Sequence, residues 1–499
     1  MQAAELLMGS RQRLGMPVPA LLHTDRYLRY VLDERHPLRG KIGPRSSQQN
    51  RLNLRLIMPS GRRTILFLCL AGLVLVNWIV GASASATATA VDEPDGLRLP
   101  AGFHAAVIAE ALGLIRHLAV RGNGNIYIST PRDQQGNGKG AGIIALHLDA
   151  PNRVDQVQHF GSVDGGTGIR FFNDALYASS PSTIYRFTFN GNELIPTKEP
   201  DIIVDGMPTS HPGSNLTNRL IAFDGKGSLF VALDGSGNLC TQTQTPPGAG
   251  ATESTTPVAL NPCPDLGKRS GVWRFSATKI GQRFPADGEQ LATGIRDMTS
   301  LDWSPLDGNL YGIMHGRDYS HRFWPDIFSV EDDDRVADEM HRITKGTNFG
   351  WPYTYYDGAR NLRLVAPEYG GDGKKSPTTG TYSTPVQTFH SRRVAPVDLL
   401  FYTGKQFPER YRGGAFIVLH GTGNKSGYDV VFVPFDRSGK AGSPTVFADG
   451  FAAFDSSKPN PGPAKYRPVG AAAGPDGSLY IADSQKGRVW RISYDGSDR

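Results

Sequence analysis

The sequence predicts an all-β protein, a six-bladed β-propeller with loop insertions on one face, preceded by an N-terminal signal or anchor segment. Three observations lead to this prediction. The 499 residues include 59 Gly and 35 Pro, a composition suited to short strands and tight turns. One strand–turn–strand pattern occurs six times, and its copies are spread along the chain after Leu99. A single sheet of this kind leaves its faces and edges exposed, whereas radial stacking protects them.

The repeated pattern is a turn rich in Gly, Asp or Asn followed by an apolar strand that alternates with period two. A second strand such as "RVWRISY" follows most copies. The last copy ends at Tyr494 and the chain near Pro100 precedes the first, so the two ends can pair and close a ring. Six copies of one pattern disfavour the competing architecture, a pair of β-sandwiches. The copies are "AVRGNGNIYIST" from Ala119, "RFFNDALYASS" from Arg170, "AFDGKGSLFVAL" from Ala222, "WSPLDGNLYGIM" from Trp303, "YRGGAFIVLHG" from Tyr411 and "AAGPDGSLYIADS" from Ala472.

The spacing between copies is uneven. The segments 317–342 and 357–392 carry most of the extra length. Insertions in a propeller commonly lie on one face, over the central channel, where binding sites form. We therefore expect a functional site beside these two segments.

The N-terminal region divides at Met58. Residues 58–90 contain a basic start, an apolar run and a small-residue end, which is typical of a signal peptide. A retained membrane anchor is the alternative, because the apolar run is nearly long enough to span a membrane. Residues 1–57 show no periodicity and are interpreted as an unstructured leader upstream of the true start. Residues 91–499 then form the propeller, and we expect a periplasmic or secreted protein, membrane-anchored in the alternative case.

The charge distribution argues against a nucleic-acid partner. Residues 1–63 contain 12 basic and 4 acidic residues, whereas the rest of the chain contains 41 basic and 43 acidic residues. The formal net charge of +6 therefore comes from the leader, and no basic face is expected on the propeller. Membrane contact is expected only through the possible N-terminal anchor.

The three cysteines separate into two groups. Cys69 lies in the apolar run and would be removed with a signal peptide. Cys240 and Cys263 are then an even pair in an exported chain, which favours a disulfide. Two unpaired buried thiols are the alternative. A C-x-x-C-H haem-attachment motif is absent from the sequence.

Polar residues also cluster where predicted strands meet loops, in stretches such as "HGRD" (315–318), "NFGWP" (348–352) and "FYTGKQFP" (401–408). Together with "LPAGFHAAVIAE" near Leu99 and the C-terminal "GPDGSLYIADSQKGRVWRISYDG", they make the sequence similar to a quinoprotein family. This family comprises soluble glucose dehydrogenases and L-sorbosone dehydrogenases, and the sequence resembles the sorbosone branch more closely. The resemblance implies a propeller that uses pyrroloquinoline quinone (PQQ) and calcium to oxidise a sugar or aldose. Electrons would pass to a separate acceptor.

The resemblance also assigns catalytic roles. His211 matches the family's base, and a neutral imidazole near pH 7 suits removal of a hydroxyl proton. Asp234 matches the carboxylate that orients this base. Arg296 matches the arginine that faces the quinone, where a cation stabilises developing negative charge.

Cofactor and metal ligands are implied by the same match. PQQ carries three carboxylates, so its pocket requires fixed cations, for which arginine is well suited. Calcium takes hard oxygen ligands, including backbone carbonyls. The implied cofactor-binding residues are Arg219, Arg296, Asp297, His315, Lys405, Lys465 and Arg467. The implied calcium ligands are Gly316 and Arg317 through their carbonyls, with Asp338 and Glu339 in the adjoining acidic segment.

Two departures from the glucose-oxidising members leave alternatives open. Those members have Arg-Asn where this sequence has Arg296-Asp297, and Gln-Gly-Pro where it has His315-Gly316-Arg317. Asp297 brings negative charge close to an anionic cofactor, and glucose is not supported as the substrate. A calcium-dependent lactonase-type hydrolase and a non-catalytic carbohydrate- or protein-binding propeller therefore remain as alternative functions.

Overall fold

A computed structural model describes residues 90–92, 96–130, 142–161, 166–209, 218–242, 257–390, 394–422, 427–454 and 462–496. The predicted leader and nearly all of the predicted signal segment lie outside these ranges, as does His211. Within them, no helix is long and apolar enough to cross a membrane.

Six mainly antiparallel sheets of four or five strands contain 26 of the 30 strands in the described residues, and we call them blades 1 to 6 in chain order. Blades 2 and 3 each gain a short strand that pairs in parallel with their outer edge. Blade 1 consists of β4 (Leu118–Val120), β5 (Ile126–Thr130), β6 (Gly142–Ala150) and β7 (Arg153–Phe160). Blade 2 consists of β8 (Ile169–Phe172), β9 (Ala175–Ser179), β10 (Ile184–Phe187) and β11 (Asp201–Asp205), with β15 (Gln282–Arg283) added. Blade 3 consists of β12 (Ile221–Phe223), β13 (Ser228–Leu233), β14 (Gly271–Ser276) and β16 (Glu289–Thr293), with β20 (Thr347–Asn348) added.

The remaining blades close the ring. The outermost strand of blade 6 comes from the N-terminal side of the chain, which is the ring closure predicted from the sequence. Blade 4 consists of β17 (Met298–Ser304), β18 (Asn309–Met314), β19 (Asp338–Ile343) and β23 (Gln387–Phe389). Blade 5 consists of β24 (Pro396–Phe401), β25 (Gly414–Leu419), β26 (Asp429–Pro434) and β27 (Thr445–Ala448). Blade 6 consists of β28 (Pro468–Ala473), β29 (Leu479–Asp483), β30 (Val489–Tyr494) and β3 (Phe103–Ala109). Two hairpins lie outside the blades, β1 (Ala90–Asp92) with β2 (Arg98–Pro100) and β21 (Thr354–Asp357) with β22 (Leu362–Val365).

The first strand of each blade lines the ring's centre. These six strands contact one another in a closed circle, β4 to β8, β12, β17, β24, β28 and back to β4. Apolar clusters fill the spaces between neighbouring blades, for example Tyr127 and Ala145 of blade 1 against Leu176 of blade 2. All six residues of β25 are buried, because blades pack on both of its faces. The predicted six-bladed propeller is confirmed.

The insertions of blade 4 meet beside one end of the ring. They include a short helix, α1 (Ser320–Phe323), and 3₁₀ turns at Glu331–Arg335 and Pro367–Tyr369. A further 3₁₀ turn, Glu409–Tyr411, lies in blade 5. An apolar cluster joins the two insertions to each other and to the loop after β13; it contains Leu239, Phe323, Trp324, Phe328, Tyr355 and Leu364.

The predicted disulfide is present. Cys240 and Cys263 are bonded, with their Cα atoms 6.0 Å apart. Both half-cystines are buried in the apolar cluster between blades 3 and 4. The bridge closes the long loop between β13 and β14.

Candidate functional site

One end of the ring, which we call the upper face, collects most of the polar residues singled out in the sequence. At this end the first strand of each blade begins and the second strand ends. Arg116, Arg296 and Arg467 lie just before β4, β17 and β28, and His315 and His420 directly follow β18 and β25. Residues from different blades therefore converge at the mouth of the central channel.

Arg116 and Arg467 form a positively charged part of this mouth. Arg116 Nε is buried and has no hydrogen-bond partner among the described residues. Burial, reinforced by the positive charge of Arg467, lowers the pKa of Arg116 to about 10. Among the described residues, the Arg467 side chain donates to neutral acceptors, the carbonyls of His420 and Gly421 and the ring of His420. Two neighbouring guanidinium groups without a bonded carboxylate are suited to an anionic ligand.

His420 follows the second strand of blade 5 and contacts two residues of blade 6, Arg467 and Ser484. Its Nδ1 is 2.8 Å from Arg467 Nη2, and its Nε2 is 2.8 Å from Ser484 Oγ. Burial lowers the pKa of His420 well below its usual value, and the charges of Arg467, Arg116 and His315 lower it further. His420 is therefore neutral and adds no charge to the site.

Arg296 lies at the start of blade 4 and its charge is offset by a carboxylate. Its Nε donates to Asn238 Oδ1 at 2.9 Å, and its Nη2 is paired with Asp318. Only 9% of Arg296 is exposed. This arginine lies at the upper face, and an incoming anion would compete with Asp318 for it.

Asp297 and His315 form a compensating pair. His315 Nδ1 is 3.6 Å from Asp297 Oδ2, and Asn218 donates to Asp297 Oδ1 at 3.0 Å. Burial lowers the pKa of His315, but the carboxylates of Asp338 and Asp297 outweigh it and raise that pKa to about 9. The pKa of Asp297 is held below its usual range, because the contacts of His315 outweigh the effect of burial. The extra negative charge noted in the sequence is thus offset by an imidazolium.

Asp234 directly follows β13, the second strand of blade 3, and is buried at the same face. Its Oδ1 accepts the backbone N–H of Met298 at 2.8 Å, which connects blade 3 to the first strand of blade 4. Burial raises the pKa of Asp234 well above its usual value, and the nearby Asp297 adds to this effect. Its predicted partner His211 lies outside the described residues, so the His–Asp pair stays a prediction.

The four residues implied as calcium ligands have different environments. Asp338 Oδ1 accepts the backbone N–H of Gly316 at 2.9 Å, so both lie at the upper face. The Arg317 side chain is buried and forms two hydrogen bonds to Glu368. The predicted calcium ligand is the backbone carbonyl of Arg317, which this pair does not involve.

Glu339 requires a correction. Because side chains alternate along β19, it points away from Asp338, and it is held by Arg363 and by His341 Nε2 at 3.0 Å. Across the described ranges, no group of three or more His, Cys, Asp or Glu side chains could hold a metal ion.

Two predicted cofactor ligands are also corrected. Arg219 is fully buried, and its guanidinium donates to the carbonyls of Pro181, Ala232 and Pro208, so it holds backbone segments together. Lys405 lies in the turn after the first strand of blade 5, at the end of the ring opposite the upper face. The adjacent Gln406 donates to Asp476 and Ser478, which belong to the corresponding turn of blade 6. Lys465, by contrast, precedes Arg467 at the upper face, and its Nζ lies 5.1 Å from the centre of the Tyr466 ring.

The sequence analysis missed Arg116, His420 and Ser484. Arg116 stands two residues before the first strand of blade 1, as Arg219 and Arg296 do in blades 3 and 4. Alignment of the repeats on their first strands would have found it. His420 lies in the repeat copy "YRGGAFIVLHG", directly after the second strand of blade 5, whereas the predicted basic residue of that blade, Lys405, follows the first strand.

Comparison with known proteins supports the fold and the family. The iodide structure of a Trichoderma reesei carbohydrate-active enzyme of family AA12 has a TM-score of 0.59 at 16% identity, covering 82% of this chain and 98% of that one. The holo form of the pyranose dehydrogenase PQQ domain from Coprinopsis cinerea has a TM-score of 0.56 at 18% identity, covering 80% and 97%. A curated, uncharacterized protein of Borreliella burgdorferi is 26% identical over 212 residues, 42% of this chain and 49% of the relative. This chain therefore spans about half the length of that relative.

A family model adds the decisive match. The model described as TrAA12-like matches residues 97–495, which include all six blades. The resemblance to PQQ-dependent enzymes inferred from the sequence is confirmed at this level, and the chain belongs to the TrAA12-like family.

Proposed function

We propose that the protein is a PQQ-dependent dehydrogenase of a sugar or aldose, of the sorbosone-like kind, which passes electrons to a separate acceptor. One observation carries the proposal. Arg116 and Arg467 come from different blades, lie close together at the channel mouth and have no bonded carboxylate in the described structure. Membership of the TrAA12-like family and the fold shared with a PQQ domain support this choice of anion.

The residues present fit a flat tricarboxylate. The buried, unpartnered Nε of Arg116 is a donor that the protein leaves unused, and an unused buried donor is costly unless a ligand satisfies it. Arg116 and Arg467 would hold cofactor carboxylates, with Lys465 at the rim. His315, as an imidazolium, and Arg296 would face the cofactor from blade 4. Bound PQQ supplies a two-electron acceptor for the sugar.

Proton removal is assigned to His211, as the resemblance implies. A neutral imidazole would accept the proton of the sugar hydroxyl that is oxidised. Asp234 would orient that imidazole through the carboxylate oxygen that does not accept from Met298. Its carboxyl group is fixed between blades 3 and 4, which suits an orienting role.

Calcium belongs to the proposal with a smaller ligand set than the sequence suggested. The carbonyls of Gly316 and Arg317 and the carboxylate of Asp338 remain, because Glu339 is occupied by Arg363 and His341. Backbone carbonyls with one carboxylate are ordinary calcium ligands. Export to the periplasm or outside the cell, by a signal at residues 58–90 that is cleaved or kept as an anchor, is likewise proposed.

Reconstitution tests the function. The purified protein is titrated with PQQ, with and without Ca²⁺, and the cofactor's absorbance and the sugar-dependent reduction of an artificial dye are measured. We expect a cofactor spectrum and turnover with at least one sugar of a panel of aldoses and sorbosone. Binding without turnover on any sugar would favour a non-catalytic propeller, and no binding would refute the proposal.

A further inference from the structure

Arg467 is held in an unusual way for a half-buried arginine. Its Nε is 3.3 Å from the carbonyl of His420, and its Nη2 is 2.6 Å from the carbonyl of Gly421 and 2.8 Å from His420 Nδ1. Asp483, the nearest carboxylate, accepts backbone N–H groups instead, including that of Arg467. The guanidinium is therefore positioned by neutral acceptors, and its positive charge is left without a bonded counter-ion in the described structure.

These contacts define the protonation of His420. A guanidinium nitrogen can only donate, so His420 Nδ1 must present its lone pair to Arg467. The ring proton is then on Nε2, which lies 2.8 Å from Ser484 Oγ. The Ser484 hydroxyl can accept a hydrogen bond from this N–H group, because it can donate its own hydrogen to the carbonyl of Arg467 at 3.4 Å. Protonation of both ring nitrogens would place an N–H group against Arg467 and break the contact.

Ser484 is well fixed for this role. It directly follows β29, and its backbone N–H donates to the carbonyl of Arg467 at 3.0 Å. Ser484, Arg467 and His420 thus form a closed circuit of hydrogen bonds between blades 5 and 6. Within this circuit the guanidinium of Arg467 is the charged group, and its acceptors are neutral.

We propose that Ser484 is a positioning residue that acts together with Arg467 to hold His420 in the Nε2–H tautomer, so that Arg467 is aimed at the channel mouth with its charge uncompensated. The proposal rests on the proposed function for the identity of the anion that Arg467 receives. A carboxylate in place of His420 would hold the guanidinium equally firmly, but it would neutralise the charge that an anionic ligand needs. A neutral imidazole holds it and leaves the charge available.

The tautomer is tested without any cofactor. The nitrogen chemical shifts of ¹⁵N-labelled histidine are measured in the full-length protein and assigned to His420 with the His420→Asn variant. We expect the Nε2–H tautomer at neutral pH, a loss of that single form in Ser484→Ala, and its retention in Ser484→Thr, which keeps the hydroxyl. An Nδ1–H tautomer or an imidazolium in the unmodified protein would overturn the proposal, as would an unchanged signal in Ser484→Ala.

Two variants of nearly equal shape, His420→Asn and His420→Asp, test whether the uncompensated charge of Arg467 is needed for anion binding. Each can accept from Arg467, but only Asp neutralises it. With PQQ as the probe, we expect His420→Asp to bind at least about tenfold more weakly than His420→Asn. Equal affinities for two folded variants would overturn the proposal. If the unmodified protein does not bind PQQ, the proposed function fails, and the tautomer measurement decides the inference by itself.

Discussion

Asp398 Oδ1 lies 3.2 Å from Arg170 Nη2 across the central channel, joining blade 5 to the opposite blade 2. The second oxygen of Asp398 accepts the backbone N–H of Ala471 in blade 6 at 2.8 Å. His117, just before blade 1, lies 4.0 Å from Oδ1. One fully buried carboxylate therefore faces groups from three other blades.

Removal of this carboxylate should destabilise the whole ring. In Asp398→Ala, the Arg170 guanidinium stays in the channel without its partner, which typically costs about 3–5 kcal/mol. We expect that loss in the free energy of unfolding, measured by denaturant titration. The double variant Asp398→Leu/Arg170→Met, which removes both charges and keeps side-chain volume, should lose less than Asp398→Ala alone. A double variant that loses the sum of both single effects would contradict this account of the pair.

Asp302 should make stability depend on pH. It accepts the backbone N–H of Phe401 at 2.8 Å, and burial raises its pKa from 3.8 to about 6, although Arg170 opposes this rise. Between these two pH values the folded state binds more protons than the unfolded state. The contribution of Asp302 to the free energy of unfolding therefore falls as the pH rises from about 4 to 6, and it stays low at higher pH.

The variant Asp302→Asn keeps an oxygen acceptor and removes the titration. We expect its free energy of unfolding, relative to that of the unmodified protein, to be higher at pH 8 than at pH 4. The measurement is chemical denaturation at both pH values. The variant Asp436→Asn changes an exposed carboxyl whose pKa is lowered chiefly by a hydrogen bond from Ser438, and it serves as a control that should not show this change. An identical pH profile for Asp302→Asn and the unmodified protein would refute the assignment.

The repeats made the fold predictable, since each copy combines turn residues with period-two alternation that only strand pairs satisfy. Ring closure followed from the same repeats, whereas the cysteine pair was predicted from the even number of cysteines that remain after the signal segment. The family resemblance implied Arg296, Asp297 and Arg467, and all three lie at the upper face, because each stands just before a first strand.

The errors have different physical origins. Lys405 lies in the turn after a first strand, at the opposite end of the ring, whereas His420 follows a second strand and lies at the upper face. Glu339 and Asp338 are neighbours in sequence but lie on opposite faces of one strand. Arg219 and Arg116 occupy equivalent positions in their blades. Tertiary packing surrounds Arg219 with backbone carbonyls that accept from its guanidinium, whereas Arg116 Nε has no such acceptor among the described residues.

The disulfide should contribute measurably to stability. Cys240 and Cys263 are 23 residues apart. In the chain-entropy model, a crosslink that closes a loop of this size lowers the entropy of the unfolded chain and so raises the free energy of unfolding by about 3 kcal/mol. We expect Cys240→Ala/Cys263→Ala to lower the free energy of unfolding by a similar amount. A reducing agent should lower the stability of the unmodified protein and leave that of the double variant unchanged. An equal effect of the reducing agent on both proteins would show that the bridge is not its target.

The positions of three basic residues allow a matched test of the anion site. Arg116 and Arg467 lie at the upper face, whereas Lys405 is exposed at the opposite end of the ring. We expect Arg116→Met and Arg467→Met each to weaken PQQ binding by about tenfold or more, because each removes a charged donor to a carboxylate. Lys405→Met should bind PQQ like the unmodified protein, although it removes the same charge from the chain. Thermal unfolding of each variant separates loss of binding from loss of structure. If Lys405→Met weakens binding as much as the arginine variants do, the effect is one of net charge, and the cofactor site is not where the two arginines meet.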